Sequence, residues 1–217
     1  MSRMKSDSTG QLAAAIYSIT LATALQYAFS KGRASWLKRR AIENDQLTGD
    51  VRRISNSRRI KVFILDRGGI LEAFAYPTGE IFITKDLNEL LDYKEALAVA
   101  IHEAGHVVYQ SQTLSNIGRN GVLLTLIGNG ASPVVSMAAS FLSGMTITAW
   151  HERLADSFAV RQGYGPALSS ALDKLYKGTD PFPRTLLNMP ALALEKMDAL
   201  FHIHPEIQHR IKSLALT

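Results

Sequence analysis

No cysteine occurs in the 217 residues. A disulfide scaffold is therefore excluded, and any zinc site must use nitrogen and oxygen ligands instead of thiolates. The absence is compatible with a reducing cytoplasm. Internal repeats and low-complexity tracts are also missing. Aromatic residues make up only 8% of the chain, and these together with the methionines read as core, not as a cofactor site. No nucleic-acid-binding module is present, and the basic stretch has little aromatic interleaving, so no nucleic-acid partner is expected.

Charge itself is missing from two stretches. Residues 12–29 carry none, and neither do residues 121–150. The formal net charge is +5, but it is concentrated: residues 31–61 hold ten Lys or Arg against three acids. The length suits one domain with a proper core plus a membrane-associated part. Residues 1–30 are read as an apolar N-terminal segment carrying a membrane-associated helix, because Leu12 to Phe29 is close to the minimum length of a transmembrane span. A signal peptide and a buried soluble helix are the rival readings; no small-x-small cleavage site precedes the basic run. Residues 31–59 then form a basic juxtamembrane linker. Lys31, Arg33, Lys38, Arg39 and Arg40 would mark the cytoplasmic side, and residues 31–61 would contact anionic lipid head groups. Residues 60–217 are left for the main domain, with an apolar hairpin insertion at 121–150.

The chemistry lies in His102-Glu103-Ala104-Gly105-His106. Residues 92–111 read as a helix, with Asp92 as N-cap and Glu95 three residues on as in a capping box. The run Ala96 to Ile101 is apolar on nearly every side, which marks a buried helix. On that helix the two imidazoles stand one turn apart on one face and can share a zinc ion. Glu103 between them can act as the general base toward an attacking water. Histidine and glutamate on a buried helix are costly unless paired or bound to metal. The expected cofactor is one Zn²⁺ per chain, and the expected reaction is peptide hydrolysis.

A catalytic zinc site needs a third protein ligand. Glu152 is the candidate. It sits in a second helical segment whose stripe is Ile147, Trp150, Leu154 and Phe158. Asp156 is four residues on, so the two carboxylates share a face, and one can bind metal while the other orients a ligand histidine. His151, one residue off that face, is a rival ligand. If His106 and Glu152 meet at one ion, they lie on the same side of any membrane, so the stretch between them crosses an even number of times. Thirty residues interrupted by Gly128-Asn129-Gly130-Ala131-Ser132-Pro133 are too few for two spans of about 20 residues each plus a turn. Residues 121–150 are therefore expected to form a hairpin, dipping into lipid or buried in the domain.

H-E-x-x-H followed by E-x-x-x-D resembles the gluzincin zinc endopeptidases, and more narrowly the HtpX-like and CAAX prenyl protease-like membrane metallopeptidases. Ala73-Phe74-Ala75-Tyr76-Pro77-Thr78-Gly79-Glu80-Ile81-Phe82-Ile83-Thr84 is similar to that family's strand-turn-strand, and Phe201-His202-Ile203-His204-Pro205 with Arg210-Ile211 to its C-terminal motif. The resemblance implies His102, His106 and Glu152 as zinc ligands and Glu103 as general base and later acid. It implies that Asp156 holds His102 and that His204 and Arg210 lie near the site, with His204 steadying an oxyanion; His202 and His209 are nearby competitors. Glu72 departs from the pattern, standing where the family commonly has Asn.

The expected fold is α+β and mainly helical: a zincin-like catalytic domain with a small β-sheet ahead of the active helix. Ile60–Leu65, Ile70–Tyr76 and Glu80–Thr84 are the expected strands, the last two forming a hairpin around Pro77-Thr78-Gly79. A strand beside the metal, through Ala73, Phe74, Ala75 and Phe82, would hold an extended polypeptide substrate by main-chain hydrogen bonds. Helices are expected at 165–177 and 185–200. The function this supports is a zinc metalloendopeptidase at the cell inner membrane, its catalytic domain facing the cytoplasm, acting in quality control of unfolded or membrane-associated proteins. The alternatives are a zinc-stabilised membrane protein or chaperone-like binder without turnover, and a lipid- or nucleic-acid-binding module built on the basic block. Glu103 argues against the non-catalytic zinc protein, since a structural site has no need of a base.

Overall fold

Asp92 opens the central helix in the way its sequence implies. Its side chain accepts from Glu95 N at 2.9 Å, and Glu95 Oε2 accepts from Asp92 N at 2.8 Å, closing a capping box. Glu95 is then held on both oxygens by Ser170 and Lys174, which ties the start of this helix to a later one. The computed structural model describes residues 8–178 and 210–215. In chain order the elements are α1 (Ser8–Lys38), β1 (Ala41–Glu43), α2 (Asp45–Ser55), β2 (Lys61–Leu65), β3 (Ala73–Ala75), β4 (Glu80–Thr84), α3 (Lys85–Leu90), α4 (Tyr93–Val108), α5 (Ser111–Gly128), α6 (Pro133–Arg161) and α7 (Gly165–Gly178). Residues 210–215 are also helical. The fold is mainly helical with a small mixed sheet, an α+β arrangement.

The sheet order is β1-β2-β4-β3, with β2 parallel to β4 and the other pairs antiparallel. Both faces of its middle strands are covered, which is why β2 and β4 read as continuous apolar runs without alternation. Val62, Ile81 and Ile83 join the main core with Ala98, Ile101 and Ala104 of α4. Phe63, Phe82 and Tyr76 turn the other way and pack on Ala34 and Leu37 of α1. The hairpin at Pro77-Thr78-Gly79 forms as expected, and Gly79 is required there: its φ is +107°, and a Cβ would lie 2.7 Å from Arg59 O.

Phe82 is therefore an interior residue. It pairs with Phe63 on one side and Phe74 on the other, so its main chain has nothing left to offer a substrate. The sheet has two edge strands, β1 and β3, and β3 is the one that packs on α4. Thr84 N bonds Glu72 O and Tyr76 N bonds Glu80 O. By antiparallel alternation the amide and carbonyl groups of Ala73 and Ala75 turn toward that edge.

Residues 31–59 are not a linker. Their first part completes α1, whose Lys38 reaches Glu80 at 2.7 Å. The next part pairs as β1 with β2. Then Asn44 caps α2 through Leu47 N, and Leu47 and Val51 sit in the main core. Several of the basic side chains hold the fold: Arg52 donates to Ile60 O at 2.6 Å and Arg59 to Val107 O at 2.7 Å. A charge count cannot separate cations that satisfy carbonyls from cations that face solvent.

Residues 121–150 form a helical hairpin. It is made by the end of α5 and the start of α6, turning at Asn129–Ser132, where Ser132 caps α6 and Pro133 occupies its first turn. α1 packs along α5 and α5 along α6. Among the described residues no helix is long and apolar enough to cross a membrane, which corrects the expectation of a transmembrane span at 12–29. The alanines and threonines of that segment dilute its hydropathy below what a span needs. The expected helix at 185–200 and the residues His202, His204 and His209 lie outside the described residues.

Candidate metal centre

α4 and α6 cross at Gly105 and Ala155. A Cβ on Gly105 would stand 3.0 Å from Ala155 Cα, so the absence of a side chain sets how closely the two backbones approach. Glycine inside a helix costs about 1 kcal/mol relative to alanine. This close crossing offsets that cost, because it brings His102 and His106 on α4 against Glu152 on α6. The motif spacing leaves the residue before the second histidine free; only the oddity of a mid-helix glycine signals its role.

His102 Nε2 lies 3.4 Å from Glu152 Oε2, and His106 Nε2 lies 3.2 Å from Glu152 Oε1. The three ligand atoms are all within 4.8 Å of one another, and no other such group of three occurs among the described residues. A tetrahedral ion with ligands at about 2.0–2.1 Å has ligand–ligand edges of roughly 3.3–3.5 Å. The two histidine-to-carboxylate distances, one to each oxygen of Glu152, are of that order, and the nitrogen and oxygen chemistry of the three residues fits a divalent ion of zinc's kind. His102 is buried, while His106, Glu103 and Glu152 are half-buried. Glu103 follows His102 directly on α4 and borders the same cavity as His102 and Glu152.

The surroundings fix the ligands. His102 Nδ1 lies 2.9 Å from Asp156 Oδ1, which turns Nε2 inward, the outer-sphere support common for metal-bound histidine. Arg210, from the helical residues 210–215, grips Asp156 with two hydrogen bonds of 2.7 and 2.8 Å and approaches Glu152 at 3.0 Å. This two-pronged contact holds both carboxylates of the E-x-x-x-D pair from one planar group. His151 is buried, but it leaves the cluster: its Nδ1 is 2.9 Å from Ser115 Oγ, which joins α6 to α5. Burial, with His106 nearby, pushes its pKa down. Glu72 is exposed, and its carboxylate pairs with Arg67 at 3.1 Å.

Burial disfavours charge on His102, but Asp156 and Glu152 outweigh it and push the imidazole up to about 10. Burial also opposes ionisation of Glu152 and Asp156. Histidine and arginine partners prevail, holding Glu152 well below and Asp156 below the usual carboxylate range. Without metal, His102 thus carries a proton between two anions. Metal needs the Nε2 lone pair and must displace that proton. With a folded pKa raised above 6.5 to about 10, the proton stabilises the metal-free fold below the unfolded value. That contribution is lost as pH rises through the folded one. Metal affinity should therefore rise about tenfold per pH unit between pH 7 and 9, with one proton released per ion. Titration calorimetry in buffers of different ionisation enthalpy measures both quantities; affinity flat across that window would contradict it.

Residues 44–217 match the model of peptidase family M48. The chain is 25% identical over 194 residues to the "Protease HtpX homolog" of Dictyoglomus turgidum, a match covering 72% of this chain and 63% of that protein. It is 26% identical over 170 residues to the "Protease HtpX homolog" of Dictyoglomus thermophilum, covering 64% of this chain and 56% of that one. The chain thus spans less than two thirds of the length of these relatives. With H-E-x-x-H on α4, E-x-x-x-D on α6 and the family match running through both, the chain belongs to peptidase family M48.

Proposed function

We propose that this chain is a zinc-dependent metalloendopeptidase that hydrolyses peptide bonds in unfolded or membrane-associated proteins, in a quality-control role. The observation that carries the reading is the group of three donors, His102, His106 and Glu152, with ligand atoms within 4.8 Å of one another and Glu103 beside the two histidines on α4. A zinc ion held by His102, His106 and Glu152 would polarise the scissile carbonyl and acidify water at the site. Glu103 would accept a proton from the attacking water and return it to the leaving amine. Asp156 keeps His102 turned for binding, and Arg210 keeps both carboxylates in place. His204, from the C-terminal motif, is assigned the oxyanion role within this proposal.

The extended substrate would lie along β3, using the outward main-chain groups of Ala73 and Ala75. Ala75→Pro removes one outward N–H without breaking a bond to β4, and edge strands tolerate proline. We expect kcat/KM on peptides to fall about tenfold with zinc content unchanged, the loss expected of one buried hydrogen bond. Unchanged kcat/KM would remove β3 from the substrate path.

Exposed apolar side chains support the second half of the reading, membrane association through the surface. Ile16, Tyr17, Leu25 and Phe29 of α1 and Val134, Met137 and Leu142 of α6 are exposed, and contiguous exposed apolar surface marks interaction or membrane sites. Near the end of α1, the exposed Trp36 carries the Arg40 guanidinium 4.0 Å from its ring centroid. The basic belt there would mark the cytoplasmic side and meet anionic lipid. Cosedimentation with phosphatidylserine vesicles, stronger than with neutral ones and weakened by salt, is the expected result. Absence of binding at low salt would count against it.

A further inference from the structure

Two of the three metal donors are held by other side chains: Asp156 orients His102, and Arg210 approaches Glu152. His106 is placed differently. Among the described residues its side chain meets no hydrogen-bond or ion-pair partner except Glu152 itself. The main chain of α4 therefore sets where His106 Nε2 falls, and His106 lies in the last turn of that helix. Helix ends are where carbonyls lose their partners. Here the helix stops abruptly. Gln110 is left-handed at φ +52° without glycine's freedom, and α5 starts at Ser111. Gln110 N bonds Val107 O at 3.3 Å, three residues back, where a continuing helix would use the carbonyl four back.

Val107 O has a second and shorter partner. Arg59 Nη2 donates to it at 2.7 Å from 48 residues away in the chain. The guanidinium thus sets a cation on the negative end of α4. Arg59 is anchored from behind. Its neighbour Ile60 is buried, and Ile60 O accepts from Arg52 at 2.6 Å. Lys61 N bonds Gly79 O at 3.0 Å, and a Cβ on Gly79 would stand 2.7 Å from Arg59 O. The backbone of Arg59 therefore sits on the turn between β3 and β4, while its side chain sits on the last turn of α4.

We infer that Arg59 is a positioning residue for the metal centre: by holding Val107 O it fixes the last turn of α4, and with it His106, against Glu152. The inference rests on the metal reading above and deepens it. Ligand distances must hold within about 0.2 Å for a site to keep its ion, so a last turn free to shift loses affinity. The bond runs to a main-chain atom, which the spacing of H-E-x-x-H does not reveal.

The test compares Arg59→Met, which keeps the stem and loses the donors, with Arg59→Lys, which can still donate to Val107 O, and with Arg52→Met. Arg52 makes the same kind of bond, guanidinium to carbonyl, but to Ile60 O and not to α4. Zinc affinity by competitive titration, the visible ligand-field bands of the cobalt-loaded chain and the urea midpoint are measured for each. Arg59→Met should lose about tenfold in zinc affinity, the lower end of what an outer-sphere partner contributes. Its cobalt bands at full loading should change in position or intensity. Arg59→Lys should recover most of the affinity and the parent's bands. Arg52→Met should lower the urea midpoint and leave affinity and bands as in the parent. The inference is overturned if Arg59→Met keeps the parent's affinity and bands, or if Arg59→Lys loses as much as Arg59→Met. It is also overturned if Arg52→Met loses as much affinity, since both arginines would then be general supports of the fold. If Arg59→Met does not fold, Arg59→Gln, whose shorter side chain does not reach Val107 O, replaces it under the same criteria. A parent chain that takes up neither zinc nor cobalt would overturn the metal reading and this inference with it. A parent that binds both ions, beside an Arg59→Met chain that binds them equally well, overturns the inference alone.

Discussion

Replacing Glu103 by glutamine should lower kcat for peptide hydrolysis by about 10²–10⁴-fold, the usual contribution of a positioned acid–base group. Zinc affinity should stay within about threefold of the parent, because Glu103 is not among the three grouped donors. Glutamine keeps the size and hydrogen-bonding shape of the side chain but cannot accept the proton of an attacking water. The structural reading of the same residue makes a different forecast. A glutamate that only packs beside two histidines would change stability and leave turnover alone. Initial rates on a quenched peptide and competitive zinc titration separate the two. Equal rates in parent and variant would remove Glu103 from the chemistry.

The second large effect is loss of metal binding on Glu152→Gln. This carboxylate is 3.4 and 3.2 Å from the two ligand nitrogens, so the change removes one of three protein donors. Zinc affinity should fall by well over the 10–100-fold that loss of an outer-sphere partner typically costs. Asp156→Asn provides the internal scale. It should cost about 10–100-fold in affinity by loosening His102, and it should also destabilise the fold by about 1–3 kcal/mol, since Arg210 loses its charge-assisted hydrogen bonds to Asp156 while keeping Glu152. Metal dialysis with a colorimetric chelator ranks the two variants, and urea unfolding measures the second effect. A greater loss of affinity in Asp156→Asn than in Glu152→Gln would reassign the ligand. The pairing also ties E-x-x-x-D together as a unit: Arg210 contacts both carboxylates, and His102 lies against both as well.

Much of the site was legible because helical periodicity and ligand chemistry act locally. The capping box at Asp92 and Glu95, the buried run to Ile101 and the one-turn spacing of His102 and His106 all follow from 3.6 residues per turn. That Glu152 returns to the two histidines needed only the demand that ligands meet. Long-range packing was less legible. Periodicity does not report that β2 pairs in parallel with β4, which puts Phe82 inside the sheet and leaves β1 and β3 as the edges. Nor does charge report destination, so Arg52 and Arg59 read as linker cations while they bind carbonyls of the fold. His151 stood one residue from the Glu152 face; its partner Ser115 lies 36 residues earlier on α5, beyond any local pattern. The apolar 12–29 segment is one part of a 31-residue helix packed on α5, a use that composition cannot distinguish from a marginal membrane span.

The measurement that bears most directly on the central claim is cleavage of casein by the purified chain at one equivalent of zinc, after chelation, and after zinc is restored. The account predicts cleavage that stops on chelation and returns with one equivalent of metal. Cleavage indifferent to the chelator, or none on any unfolded substrate while His102, His106 and Glu152 demonstrably hold one ion, would contradict it.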